Sequence, residues 1–406
     1  MSTPMRLLAY AGQSNALSLT AHRQRAGAST PRRGAELIDA VAAAGLRGRG
    51  GAAFPTAVKM RAVAARRGRR ALVVNGAEGE PMSAKDRALL ELAPHLVLDG
   101  ALLVAEAVGA RDVVVAVKRS AWAAGEALVR AMGDRRDVRG VRLELVPDAY
   151  LSGEESALLR ALNGGPAKPT LVPPRPYERG LGRRPTLVAN VETVAHVALI
   201  ARHGAGWFRE MGTHEHPGSA LVTVSGAVAC PGVYEVALGT PVADVIAGAG
   251  RSGDWRAALV GGYYGTWLSA REAGAVGLDN ASLRDRGASV GAGVVVALPV
   301  EACPAAEVAR VVRWMADENA GQCGPCVHGL EAIAGTVTAL VAGSAGRDAR
   351  ARLVRWTGQI DGRGACHHPN GVVRFVRSAL AVFADELDDH HRHGPCSACS
   401  RSPVLA

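Results

Sequence analysis

A glycine-rich stretch, GLRGRGGAAFPTAVKMR from Gly45 to Arg61, constrains the fold of this 406-residue chain more than any other feature. Gly45, Gly48, Gly50 and Gly51 interleave with Arg47 and Arg49, and Phe54, Pro55 and Lys59 follow. Glycines at this density let backbone N–H groups converge on an anion with no Cβ in the way. Lys59 and the helical pattern around it add a positive charge and a helix N-terminus. These are the parts of a loop for a mononucleotide phosphate. The GxGxxG spacing behind a strand is not present, so this is not the dinucleotide fingerprint. In a chain with 49 glycines the alternative is a plain flexible loop.

The hydrophobic pattern around the loop alternates between strand and helix. Residues 36–46 have helical spacing and stop at the loop, ALVVNGAEGEP (71–81) reads as a strand delivering a turn, and DVVVAVK (112–118) as a buried strand. The apolar run that follows Arg87 predicts a helix in two pieces, broken near Asp99–Gly100. ESALLRALNG predicts a helix closed by Gly164. This alternation implies an α/β domain over 35–215, after a lead-in at 1–34. Next, LVTVSGAV and VYEV read as strands around a Pro-Gly turn, and TPVADVIAGAG as a helix capped by Thr240. From 301 to 388 the pattern is helical. The stretch 389–406 is charged and aperiodic, which predicts a disordered tail.

Four further blocks follow the glycine loop in order: VVNGAEGEPMSAKDR (73–87), YLSGEESALLRALNG (150–164), PTLVANVETVAHV (185–197) and ENAGQCGPCVHG from Glu318, with Cys366 beyond. Together, over about residues 35–380, the chain resembles the NADH- and FMN-binding F subunit of NADH–quinone oxidoreductase, a family also found in soluble NAD-linked hydrogenases and formate dehydrogenases. The resemblance implies a Rossmann-like α/β flavin domain, a β-grasp module of the SLBB type over 216–300, and a helical domain that holds an iron–sulfur cluster. It implies electron flow from NADH to FMN, then to a 4Fe-4S cluster and on to a partner. No residue is required as an acid–base catalyst, because the cofactors carry the chemistry.

Matched motif by motif, the resemblance assigns Gly48, Gly50, Gly51, Lys59, Asn75, Glu78, Gly153, Glu154, Asn190 and Thr193 to FMN. It assigns Phe54, Glu80 and Glu155 to NADH, where a carboxylate beside the ribose favours NADH over NADPH. The chain also departs from the family. Ala77 stands for an Asp, Ala189 for the first Asn of an NNVET pattern, and Ala53 and Ala57 for loop glycines. Ala62 and Arg175 replace two of the aromatic rings that sandwich adenine, and Val172 replaces a Lys. Each lost ring removes roughly 1–3 kcal/mol of stacking, which a planar Arg175 guanidinium offsets in part. FMN is therefore better supported than NADH.

The chain has seven cysteines, five of them in its last quarter, a distribution of metal ligands and not of a secreted disulfide framework. Cys323, Cys326 and Cys366 match three of the family's four cluster ligands, and Ala320 stands at the fourth. A four-iron cluster with a substitute ligand (His328, His367, His368 or a tail cysteine) or an open iron, a three-iron cluster, no cluster, and a zinc site of three cysteines and one histidine all remain open. Cys230 and Cys303 stand alone and read as inert buried thiols. Cys396-x2-Cys399, near His390, His391 and His393, reads as an adventitious metal pair.

Net charge is +10, carried by 43 arginines against four lysines, three of which (Lys59, Lys85, Lys168) fall in the blocks above. Only 4% of residues are aromatic and the arginines are scattered, which excludes a nucleic-acid platform. An acidic redox partner, a ferredoxin or a thioredoxin-like 2Fe-2S protein, accounts for the charge better. No run of 18 uncharged apolar residues occurs and the N-terminal segment lacks a signal pattern, so a cytoplasmic protein without a direct membrane span is expected. Two other readings remain: an FMN and iron–sulfur carrier that does not oxidise NADH, and a non-catalytic structural homologue.

Overall fold

The computed structural model describes residues 5–12, 15–27 and 30–405; the rest of the predicted lead-in lies outside them. The chain divides into two compact units. The first holds the described residues up to Gly79, with Ser83–Val222 and Val233–Gly239. Its centre is a parallel sheet of β1 (Arg70–Gly76), β2 (Ala110–Lys118), β3 (Val141–Val146) and β4 (Thr186–Asn190), in the order β3-β2-β1-β4. Both faces are covered, as parallel sheets require. Leu72 and Val74 of β1 with Val113, Val115 and Val117 of β2 pack into one core. Ala71 and Val73 with Val114 and Ala116 pack into another, against Leu158, Leu159 and Leu181.

The apolar run after Arg87 breaks at Ala93, not at Asp99–Gly100. One helix spans Lys85–Leu92, and the next spans Pro94–Val108 with its proline in the first turn. Gly100 stays helical because the chain uses it for close approach: a Cβ there would lie 2.0 Å from the carbonyl oxygen of Val194 in the helix Val191–Arg209. Among the described residues no single helix is long and apolar enough to cross a membrane.

The second unit holds Glu80–Met82, Thr223–Gly232 and the residues from Thr240 on. β5 (Ser219–Gly226) and β6 (Gly232–Ala237) are divided between the two units, and within the second unit β5 from Thr223 on, β7 (Trp255–Val260), β8 (Thr266–Ser269) and β9 (Val294–Pro299) form a sheet in the order β5-β9-β7-β8. β9 runs parallel to β5 and antiparallel to β7, and β7 pairs antiparallel with β8. The helix expected behind Thr240 starts at Val242 with Pro241 at its cap and no side-chain capping bond. Helices Pro304–Asp317, Glu331–Val341, Ala349–Ile360, His368–Val382 and Ala384–His393 follow, and a core around Trp267, Phe375 and Phe383 joins them to the β-strands of this unit. The tail predicted as disordered from 389 is structured. The last helix continues to His393, Leu405 is buried, and Glu307 accepts hydrogen bonds from the backbone N–H of Val404 and Leu405.

Candidate functional site

The strand order reverses between β1 and β4, since β2 and β3 lie on one side of β1 and β4 on the other. In open α/β sheets a ligand crevice forms at the C-terminal ends of strands at such a switch point. Asn75 and Asn190 occupy that place, in register with each other. Asn75 donates through Nδ2 to the Gly153 carbonyl at 2.9 Å and accepts from the Ala77 N–H at 3.1 Å, which ties the second and third sequence blocks together. Gly153 has to be glycine, because a Cβ would sit 2.2 Å from the Ala77 carbonyl oxygen. Asn190 accepts from the Glu192 N–H, capping the helix that begins at Val191, and donates to Asp86 at 2.6 Å.

The glycine loop is closed by the Gly48 N–H donating to the Phe54 carbonyl at 2.9 Å, and Gly51 takes φ 102°. The Arg49 N–H donates to Thr193 Oγ1 at 2.9 Å, and its guanidinium donates to the Ser219 carbonyl. A Cβ on Gly50 would lie 3.3 Å from that of Asn190. The loop therefore sits against β4 and its following helix. Ala53, where the resemblance places a glycine, keeps the left-handed backbone, φ 49°. Lys59 forms an ion pair with Glu155 at 2.7 Å, which places a predicted FMN residue beside a predicted NADH residue. Phe54 leaves 47% of its surface exposed, a free ring face next to the loop.

A buried ionic bed, not singled out from the sequence, supports this arrangement. Lys85 donates to Asp86 at 2.6 Å and to Glu192 at 2.9 Å; Arg49 lies 3.8 Å and His196 3.7 Å from Glu192. Burial opposes charge on Lys85, but Asp86, Glu192 and Glu78 outweigh it and hold the ammonium firmly protonated. Burial likewise opposes the Glu192 carboxylate, yet Lys85, His196 and Arg49 hold it down at about 2. Asp86 goes the other way: burial pushes it up to about 7, Glu78 adds to the rise, and Lys85 opposes it only in part. Burial also lowers His196, keeping the imidazole neutral. The sequence signal for this bed is Lys85 itself, one of so few lysines in an arginine-rich chain.

Three predicted carboxylates have other tasks. Glu78 accepts from the N–H groups of Asp86 and Arg87, in the first turn of the Lys85–Leu92 helix, and from Ser83 Oγ. Glu154 caps the Glu155–Leu162 helix through the N–H groups of Ser156 and Ala157. Glu80 falls in the second unit, 7% exposed, and accepts from the Tyr263 and Met82 N–H groups. A carboxylate so enclosed does not fit the ribose contact expected of it.

The residues at the switch point fit a flavin mononucleotide. Thr56 Oγ1, at the start of the Thr56–Ala64 helix, and Ser152 Oγ, in the third block, are buried without a hydrogen-bond partner. Two hydroxyls left in need of partners, beside glycine N–H groups and Lys59, match a polar, anionic ligand.

In the second unit, Cys326 is buried in an over-wide helical turn, Pro325–Leu330, of the kind found at functional sites. Its thiol lies close enough to Cys323 and Cys366 to feel both. The backbone of Ala365 donates to Cys323 and that of Ala320 to Cys326. Three soft sulfur donors converging from a turn and a distant loop suit iron–sulfur ligation. Ala320 thus sits beside the sulfurs with no side-chain donor. Two of the substitutes named from sequence are otherwise engaged. His368 meets Tyr264 Oη at Nδ1 (2.6 Å) and the Met315 carbonyl at Nε2 (2.8 Å). Cys396 and Cys399 gather with Cys303 and His390. His328 and His367 are exposed. Cys230, expected to be buried, is exposed as well.

Comparison with known proteins agrees with this geometry. The Nuo51 FMN-binding domain matches residues 41–199, the SLBB domain 221–255, and the NADH-ubiquinone oxidoreductase-F iron-sulfur binding region 306–390. An F subunit of the NADH-quinone oxidoreductase of Rhizobium meliloti (strain 1021), the one designated F 2, is 32% identical over 380 residues, covering 89% of this chain and 90% of that protein. The corresponding F subunit of Mycobacterium bovis (strain ATCC BAA-935 / AF2122/97) is 32% identical over 390 residues, covering 91% and 88%. Among solved structures, a chain of an NAD+-reducing [NiFe]-hydrogenase in the H2-reduced state aligns with a TM-score of 0.82 at 35% identity, over 88% of this chain. The present chain spans 63% of that hydrogenase chain.

Proposed function

The chain belongs to the family of NADH-quinone oxidoreductase F subunits, and from that premise we propose that it oxidises NADH with FMN and an iron–sulfur cluster and passes electrons to an iron–sulfur partner protein. The observation that carries the reading is the switch point, where β1 and β4 bring Asn75, Asn190 and the glycine loop to one edge of the sheet. FMN, when bound, accepts a hydride and releases electrons one at a time. Gly48, Gly50, Gly51 and Lys59 hold its phosphate and Asn75, Gly153, Asn190 and Thr193 fix its orientation. Glu78 and Glu154 act at one remove, by capping the helices that carry their neighbours. Phe54 offers a stacking face to the nucleotide, and Glu155, paired to Lys59, supplies the carboxylate at its edge. Cys323, Cys326 and Cys366 ligate the cluster.

A second reading, a flavin and iron–sulfur carrier that does not use NADH, draws on the enclosed Glu80 together with Ala62 and Arg175. Titrating the anaerobically purified protein with NADH separates the two. Flavin absorbance that bleaches with NADH supports the dehydrogenase; flavin that responds to dithionite alone supports the carrier. A colourless protein sinks both and leaves a structural homologue. The acceptor in this reading is a ferredoxin or thioredoxin-like 2Fe-2S protein met in the cytoplasm, an acidic partner suited to a chain of net charge +10.

A further inference from the structure

Cys303 and the tail pair do not stay apart as inert and adventitious thiols. Cys303 Sγ lies 3.3 Å from His390 Nε2 and 3.5 Å from Cys399 Sγ, and Cys399 Sγ lies 3.8 Å from Cys396 Sγ. The four ligand atoms all fall within 4.8 Å of one another. Zinc–sulfur bonds of about 2.3 Å and a zinc–nitrogen bond of about 2.0 Å give a tetrahedron with edges of about 3.8 Å between sulfurs and about 3.5 Å from sulfur to nitrogen. The observed spacings are those of ligands around a single ion. A four-iron cube is wider and would hold its sulfurs further apart.

The surroundings are built for ligation as well. His390 directs Nδ1 at the Val341 carbonyl, 3.1 Å away, so its proton belongs on that nitrogen and Nε2 presents a lone pair to the sulfurs. Cys303 stands at the N-terminus of the 14-residue helix Pro304–Asp317, where the Ala306 N–H donates to its sulfur. Cys303 and His390 are buried. Three of the ligands lie outside the matched iron–sulfur region 306–390, and His390 is its last residue.

We propose that Cys303, His390, Cys396 and Cys399 form a structural zinc site with a ligand set distinct from Cys323, Cys326 and Cys366. Binding releases three thiol protons to solvent and leaves a Cys3His–Zn2+ centre of net charge −1, with no redox change. The site ties the segment around Cys396 to the first turn of the Pro304–Asp317 helix and to the end of the last helix. The same segment continues to Val404 and Leu405, which Glu307 of that first turn receives. This inference stands independently of the flavin reading.

Elemental analysis of the purified full chain tests it, together with X-ray absorption at the zinc edge on the unmutated protein. The expected result is about one zinc per chain in a shell of three sulfurs and one nitrogen. Cys399→Ser should lower zinc several-fold and leave iron unchanged, whereas Cys326→Ser should lower iron and leave zinc. Wild-type protein that neither carries zinc nor takes it up after reduction overturns the proposal. So does a zinc shell of other composition, or iron that falls with Cys399→Ser. Because the absorption measurement uses no variant, a misfolded Cys399→Ser protein does not spare the proposal.

Discussion

Asn75 and Asn190 face each other across adjacent parallel strands, and Asn190 Nδ2 lies 3.4 Å from the Asn75 carbonyl oxygen. Each asparagine also makes a different contact, Asn75 with the Gly153 carbonyl and Asn190 with the Glu192 N–H in the first turn of the helix that follows β4. The two side chains are the joints at which β1 hands the chain to its following loop and β4 to its following helix.

Replacing either joint should loosen the site more than the fold. Asn75→Ala removes two loop contacts and should weaken FMN binding about tenfold, the effect of one net hydrogen bond to a polar ligand. Asn190→Ala removes a helix cap as well and should cost about 1 kcal/mol of stability. Flavin fluorescence on reconstitution and urea unfolding measure the two effects separately.

Ala53 holds a left-handed backbone that L-residues adopt at a cost of about 1 kcal/mol. Ala53→Gly should therefore raise the unfolding free energy by up to that amount, despite glycine's greater freedom when unfolded. An unchanged or lowered urea midpoint would show that the loop does not need this conformation.

His95 gives the first unit an acid-sensitive contribution to stability, opposite in sign to that of Asp86, whose raised carboxyl takes up its proton in the native state first. His95 is buried, and burial, with His22 and Arg135 nearby, lowers its pKa to about 4. Between about pH 6.5 and 4 the unfolded chain binds a proton at this histidine that the native state refuses, so the His95 contribution is full above 6.5 and falls as pH drops through this window. A loss on the order of 2 kcal/mol is expected. Urea midpoints of the wild type and His95→Asn at several pH values should show it as a difference between the two curves that shrinks as pH falls.

Ala320 lies beside Cys326 where a fourth sulfur would close the cluster. Ala320→Cys should raise bound iron toward four per chain and slow its loss in air. Iron content that does not rise, with the chain folded, would show that another ligand already completes the site.

Among the candidate site residues, those that the structure gathers near the switch point stand in local motifs and act through a side chain or the lack of one: Gly48, Gly50, Gly51, Asn75 and Asn190. Periodicity shows strands but not that β4 returns beside β1, so the switch point emerges only in three dimensions. Glu78, Glu80 and Glu154 read as ligand contacts because acidic residues in a motif look alike whether they meet a ligand or a backbone N–H. Gly100 reads as a break because its helical use depends on Val194, far along the chain. Cys303 reads as an inert buried thiol for the same reason: its partner His390 is 87 residues away, and nothing local marks a thiol that will be met from such a distance.

The ionic bed beneath the flavin loop also bears on how the first unit folds. Lys85 and Glu192 are 107 residues apart in sequence, and Arg49 belongs to a third segment. None of these charges can be enclosed alone without a penalty of several kcal/mol. The glycine loop, the start of the Lys85–Leu92 helix and the start of the Val191–Arg209 helix therefore depend on one another, and loosening any one of them leaves a buried charge of the other two unpaired.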